Sequence, residues 1–264
     1  MDSKHDKALI DLFVEEFNRW HNGTFRVQSQ PDLIHRDRKA IDALAVDETS
    51  RILAVEHTLV EPFEDAKRDG VPFRAVLGPL QSRRDLCLPG WTIMLSVAVG
   101  AVPRGVDWKE ATIKLEEWVL RSRPEFPEGV TELTVEGCGF PLSIVVEKSR
   151  RPGGPGHFLV GRLMPTESVA QIVNKALRDK LPKLSATAAD LRVLLCEMDS
   201  PARGWNDVAA AIEAKRPTIQ ELQDITEVWV ARTTAWQSEN FISWHLIWPL
   251  QKANDFQRGF RHEA

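Results

Sequence analysis

The chain has no tyrosine among its 264 residues, although it has nine tryptophans, and it has only three cysteines: Cys87, Cys138 and Cys196. The cysteines are odd in number and none has CxxC or Cys/His spacing, which argues against a disulfide framework and a structural zinc site. They read as buried thiols. No apolar run reaches the roughly 20 residues of a membrane helix. The longest, residues 91–102, is interrupted by Thr, Ser and Gly and reads as a strand. The opening residues, MDSKHDKALIDLF, contain no apolar signal region, so a cytoplasmic protein is expected, with no membrane partner. A Walker A loop, GxGxxG, HExxH and GxSxG are all missing. Nucleotide-dependent transfer, dinucleotide redox chemistry, zinc proteolysis and the hydrolase elbow are therefore not first readings. An excess of positive charge is missing too. The 34 Lys and Arg against 38 Asp and Glu leave a net charge of −4, which speaks mildly against a nucleic-acid partner without removing one that meets a single basic face.

What remains is globular composition, 43% hydrophobic and 27% charged, enough for a sizeable core. Residues 4–20 carry Leu9, Leu12, Phe13, Phe17 and Trp20 at helical spacing behind Ser3 as N-cap, with Glu15 and Glu16 as solvated charges beside the stripe and Gly23 as the C-terminal cap. A short strand is expected over 24–28, then loop through the charged run 35–39. Residues 62–165 read as an insertion or second lobe between two parts of a core, 1–61 and 166–264. Within the insertion the pattern predicts a strand over 91–102 and a helix over 108–121, with Asp107 and Glu110 as a capping box. Strands over 142–148 and 157–164 are expected to be joined by the Gly-rich residues 150–156 as a hairpin turn. Thr166 should cap a helix that Pro182 stops, with Val169, Val173 and Leu177 on its apolar face. Residues 191–196 read as a buried central strand. Asn206 caps a further helix, and strands follow at 226–232 and 241–248. The order implies α/β architecture.

The stretch with chemical content is 31–61, PDLIHRDRKAIDALAVDETSRILAVEHTLVE. Two apolar runs, 40–46 and 52–60, flank the polar turn Asp47-Glu48-Thr49-Ser50. Asp42 and Glu56 stand where strands disfavour carboxylates. With an odd loop the two lie opposite each other on one face. Opposed carboxylates repel unless a cation sits between them, and an all-oxygen donor set, with the His57 backbone carbonyl as third ligand, suits Mg²⁺. The His57 side chain should point to the other face, as a packed or surface histidine.

A helix, a strand carrying Asp, a tight turn and a strand carrying Glu-x-x resemble the PD-(D/E)xK nuclease-like (restriction-endonuclease-like) family, over residues 3–61 and 166–198. The resemblance implies a mixed central sheet flanked by helices and metal-dependent phosphodiester hydrolysis on DNA or RNA. Asp42, Glu56 and His57 would hold Mg²⁺ or Mn²⁺. In this sequence Thr58 stands where the family's lysine belongs. Some members place that lysine on the second helix. At about 100° per residue Lys175 lies opposite the apolar stripe, Lys180 projects to the apolar side, and Lys183 follows beyond Pro182. Lys180 either completes the site or snorkels from the last helical turn. Readings of a different class are a catalytically silent binding or interaction module, favoured by Glu-His-Thr, and an unrelated α/β protein with merely structural carboxylates. Glu197 and Asp199 stand at the carboxyl end of the expected central strand, where α/β sheets place ligands, although a loop-start role is the favoured reading for both. Arg36, Arg38, Lys39, Arg83, Arg84, Arg150 and Arg151 are candidate phosphate contacts or solvated loop charges.

Overall fold

A computed structural model describes residues 3–34, 40–165, 169–200, 204–215, 218–234, 236 and 241–249. In chain order the elements are α1 (Ser3–His21), β1 (Arg26–Ser29), α2 (Pro31–Ile34), β2 (Ala43–Val46), β3 (Ile52–Leu59), α3 (Ala66–Val76), α4 (Gly78–Gln81), β4 (Trp91–Val97) and α5 (Trp108–Ser122). They continue with β5 (Gly129–Val135), β6 (Leu142–Arg150), β7 (His157–Arg162), α6 (Val169–Ser185), β8 (Leu191–Met198), α7 (Trp205–Lys215), β9 (Glu227–Arg232) and β10 (Ser243–Trp248). The chain divides into two compact units, residues 1–64 with 168–264, and residues 65–167. No helix among the described residues is long and apolar enough to cross a membrane.

The first unit is built on a six-stranded mixed sheet in the order β1-β2-β3-β8-β9-β10. Strands β1, β2 and β3 pair antiparallel, β3, β8 and β9 run parallel, and β10 closes the edge antiparallel to β9. Side-chain alternation sorts the strands onto two helical layers. Ala54, Val60, Leu194, Cys196 and Val228 pack with Val173, Leu177 and Leu181 of α6 and Val208 and Ile212 of α7. Leu53, Val55, Val193, Leu195 and Trp229 pack with Leu9, Phe13 and Phe17 of α1. Strand β8, buried from Val193 to Met198, is the central strand its apolar run implies. Helix α1 is also tied to the sheet near each end by a histidine on a buried carboxylate. His5 Nε2 lies 2.8 Å from Glu197 Oε1, and His21 Nε2 lies 3.1 Å from Glu227 Oε2.

Several sequence expectations shift. The residue that ends α1 in the left-handed region is Asn22, at φ 48°, not Gly23. Glu16 is buried, held by Arg19 at 2.7 Å and the Trp20 indole at 2.8 Å, whereas Glu15 is exposed. Pro31–Ile34 forms one helical turn rather than loop, with proline at its tolerated first position. Pro182 does not stop α6, which runs on to Ser185; proline near a helix end forfeits one backbone bond, and the Ala186 N–H still reaches the Pro182 carbonyl at 3.1 Å. Asn206 lies inside α7, which begins at Trp205. Thr166 lies outside the described residues.

The second unit has its own four-stranded sheet, ordered β5-β6-β4-β7, with α3, α4 and α5 contributing to its core. The expected β6–β7 hairpin is overturned: β4 lies between them, antiparallel to β6 and parallel to β7. Strand β7 therefore belongs to this sheet and not to the run of alternating strands and helices that follows it. One glycine of that connection has a steric reason. Gly156 has φ +84°, and a Cβ there would meet the Leu88 carbonyl oxygen at 2.2 Å. Asp107 caps α5 as its spacing implies, accepting the Glu110 N–H at 3.0 Å.

The β2–β3 turn sets the register on which the site depends. Its loop is five residues, Asp47 to Arg51, because Val46 pairs with Ile52. Asp47 Oδ1 accepts the Thr49 and Arg51 N–H groups, each at 2.9 Å, and the Thr49 hydroxyl at 2.8 Å, while Arg51 Nε donates to Oδ2 at 2.7 Å. Burial opposes the charge on Asp47, but these hydrogen bonds outweigh it and hold its pKa down at about 2. A carboxyl whose folded pKa is lowered stabilises the fold above its unfolded pKa and loses that contribution as pH falls toward the folded value. The thermal advantage of wild type over Asp47→Asn should therefore be full at about pH 6 and shrink between about pH 4 and pH 2. A pH-independent gap in Tm would contradict this.

Candidate functional site

One step beyond the Ala43↔Val55 pair, the register sets Asp42 opposite Glu56. Asp42 has already left the strand, which starts at Ala43 rather than Ala40, because its N–H turns to the Glu56 carboxylate (Oε2, 3.2 Å) instead of the ladder. The His57 N–H donates to Asp42 Oδ2 at 2.7 Å. Alternation along β3 sends Glu56, with Ala54 and Val60, toward α6, and its side chain is fully buried.

Helix α6 brings two lysines to these carboxylates. Lys180 Nζ lies 2.7 Å from Glu56 Oε1 and 3.5 Å from Asp42 Oδ2, so one ammonium touches both acids. Lys183 Nζ donates to Glu56 Oε1 at 3.0 Å and to the Ala40 carbonyl at 3.3 Å. Lys175 faces away on a surface pair with Glu64. The inward direction of Lys180 is legible from helical angles. Lys183 escaped them only because Pro182 read as the helix end; its i, i+3 relation to Lys180 is the signal that finds it.

The electrostatics are in tension. Burial raises the Glu56 pKa and the Asp42 carboxylate raises it further, while the lysines pull it down. Burial disfavours the Lys180 ammonium, but Glu56 and Asp42 outweigh that and raise its pKa. The first direction favours a neutral Glu56, the second an ionised one. Two ammonium contacts at 2.7 and 3.0 Å on one carboxylate oxygen favour the ionised arrangement.

The opposite face of the sheet holds a cluster around Glu197, whose partners the sequence does not reveal. Glu197 is not a loop residue: it lies within β8 and is buried. Its carboxylate meets His57 Nε2 at 3.1 Å, the Thr233 hydroxyl at 2.6 Å and His5 Nε2 at 2.8 Å. Burial alone would raise its pKa, but those hydrogen bonds hold it down at about 2. The His57 ring thus packs where alternation sends it, away from Glu56. Asp199 is exposed beyond the strand end.

Arg83, Arg84, Arg150 and Arg151 belong to the second unit. Arg83 pairs with Asp85 and Glu116, each at 2.7 Å, and Arg150 with Glu128 at 3.4 Å. Arg84 is exposed, and Arg151 contacts His157. Arg36, Arg38 and Lys39 lie outside the described residues. Of the cysteines, Cys138 and Cys196 are buried and Cys87 is half-buried; burial pushes the Cys196 thiol up to about 12, which removes it as a nucleophile. No family model, curated protein or solved structure matches this chain.

Proposed function

We propose that the protein is a metal-dependent phosphodiesterase of the PD-(D/E)xK type acting on DNA or RNA, with Asp42 and Glu56 as metal ligands and Lys180 as the lysine that Thr58 does not supply. The observation that carries this reading is the single Lys180 ammonium bridging Asp42 and Glu56 at 3.5 and 2.7 Å. The order α1-β1-β2-β3, then α6-β8 after the second unit, supports it, because helix, three strands, helix and strand are the parts the resemblance implies.

The donor set fits a small hard cation. Asp42 and Glu56 converge on a position that tolerates positive charge. The His57 carbonyl shares the strand edge of the N–H given to Asp42, since both groups of a strand residue face one neighbour. Oxygen ligands of this kind suit Mg²⁺ or Mn²⁺. When bound, such an ion activates a water and offsets charge on the phosphate. The chain's own part is positioning. Lys183, anchored on the Ala40 carbonyl, keeps Glu56 oriented, while Lys180, with a flexible four-carbon stem, exchanges its carboxylate partners for a phosphate oxygen.

Titrating Mn²⁺ and Mg²⁺ into the full chain should give an isotherm that Asp42→Ala removes. Incubation with plasmid, single-stranded DNA and RNA should give metal-dependent cleavage that the same substitution and chelation abolish. A wild type that neither binds these ions nor cuts any of the three substrates refutes the reading. A second reading, a catalytically silent module on this fold, draws on the same contacts: Glu56 already meets two ammoniums, a cluster that is satisfied without an ion. Absence of metal binding alongside binding of uncut nucleic acid or protein would favour it.

A further inference from the structure

The cluster around Glu197 is separate from the Asp42–Glu56 pair and is built differently. Strands β3, β8 and β9 run parallel, and His57, Glu197 and Thr233 stand at or just past their carboxyl ends on the α1 face. In open α/β sheets that end is where ligands bind. The first turn of α1 lies over it, bringing His5 and Asp6. One ligand atom each from His5, Asp6 and Glu197 lies within 4.8 Å of the others. Those atoms are one imidazole nitrogen and two carboxylate oxygens.

Burial is graded across the cluster. Glu197 and His57 are each 2% exposed, whereas Asp6 is 24% and His5 31% exposed, so a buried floor carries a mouth that solvent reaches. The floor is held rigidly. His57 Nε2 and the Thr233 hydroxyl fix the Glu197 carboxylate, and Trp236 lies against the His5 ring at 4.9 Å between centroids. His57 Nδ1 and Asp6 Oδ1 face each other at 3.9 Å, beyond hydrogen-bond reach. Two carboxylate oxygens and one imidazole nitrogen converging on one point, above a buried floor and open on one side, form a donor set for a cation.

We propose that His5, Asp6 and Glu197 bind a divalent transition-metal ion, Zn²⁺ being the type, with His57 as the buried partner that orients Glu197. Three protein ligands leave a coordination position open toward solvent, the pattern of a reactive rather than a closed structural zinc site. The imidazole separates this site chemically from the all-oxygen pair on the other face, since nitrogen ligands favour Zn²⁺ and Co²⁺ over Mg²⁺. His57 works from behind, as the outer partners of metal ligands do. The proposal does not depend on nuclease activity.

The test titrates Zn²⁺ and Co²⁺ into the full chain by calorimetry, with the visible spectrum of Co²⁺ as a direct report of a nitrogen-containing site. Binding should survive Asp42→Ala and disappear in His5→Ala and in Asp6→Ala, both partly exposed positions whose folding circular dichroism checks. Glu197→Gln, which keeps the side-chain shape, should also lose it, and His57→Gln should weaken it about 10- to 100-fold. No Zn²⁺ or Co²⁺ binding in the wild type overturns the proposal. So does binding that persists in the His5 and Asp6 variants, or binding that only Asp42→Ala removes.

Discussion

Glu56→Ala should destabilise the fold by about 3–5 kcal/mol, the range for breaking a buried ion pair from one side. The carboxylate is fully buried and carries Lys180 and Lys183 on one oxygen, while its second oxygen accepts the Asp42 N–H. Truncation leaves two ammoniums facing each other, with Asp42 as the remaining carboxylate near Lys180 among the described residues. A loss of this size is a large share of the roughly 5–15 kcal/mol that holds a domain together. Glu56→Gln, which keeps the shape and some hydrogen bonding, should lose less, about 1–3 kcal/mol. Urea unfolding reads both through the midpoint at unchanged slope. An alanine variant within about 1 kcal/mol of wild type would mean that the lysines do not rest on this acid. Under the nuclease reading both variants should also lack metal-dependent cleavage while still folded.

Lys180→Ala should separate binding from turnover. Its ammonium occupies the space between Asp42 and Glu56, so removing it should tighten Mn²⁺ binding, by about tenfold if even 1.4 kcal/mol of repulsion is relieved. Cleavage should nevertheless fall about 10²–10³-fold, the scale of losing a group that stabilises developing charge. Lys183→Ala is the control: it leaves the bridging ammonium in place and should reduce cleavage by less than about tenfold. Unchanged cleavage in Lys180→Ala would remove this lysine from the chemistry. Weaker metal binding would show that it supports the site and does not compete for it.

The sequence was most readable where one periodicity dominated. The α1 stripe and the apolar β8 run follow from spacing alone, whereas the opposition of Asp42 and Glu56 follows only once the turn has an odd number of residues, as its five-residue loop does. Lys180, like the α1 stripe, was readable from spacing. The pairing of β6 and β7 was not, since nothing local says that β4 will come between them. Glu197 read as a loop-start residue because its partners, His5, His57 and Thr233, come from three other parts of the chain. Lys183 was hidden by a proline whose cost at a helix end is smaller than its reputation.

The opposed carboxylates also bear on the order of folding. A β2–β3 hairpin formed alone would hold Asp42 and Glu56 against each other with no cation, so its last pairing step is unfavourable in isolation. The ammoniums that relieve it arrive from α6, after a unit of about a hundred residues has intervened. Loop closure over that length costs only slightly more than over a short one, but it must happen before the Asp42–Glu56 end of the hairpin gains anything. The far end of the hairpin and the docking of α6 are therefore expected to form together, in one late cooperative step, with low φ-values at Ala43 and Val55 and higher ones near the Asp47 turn.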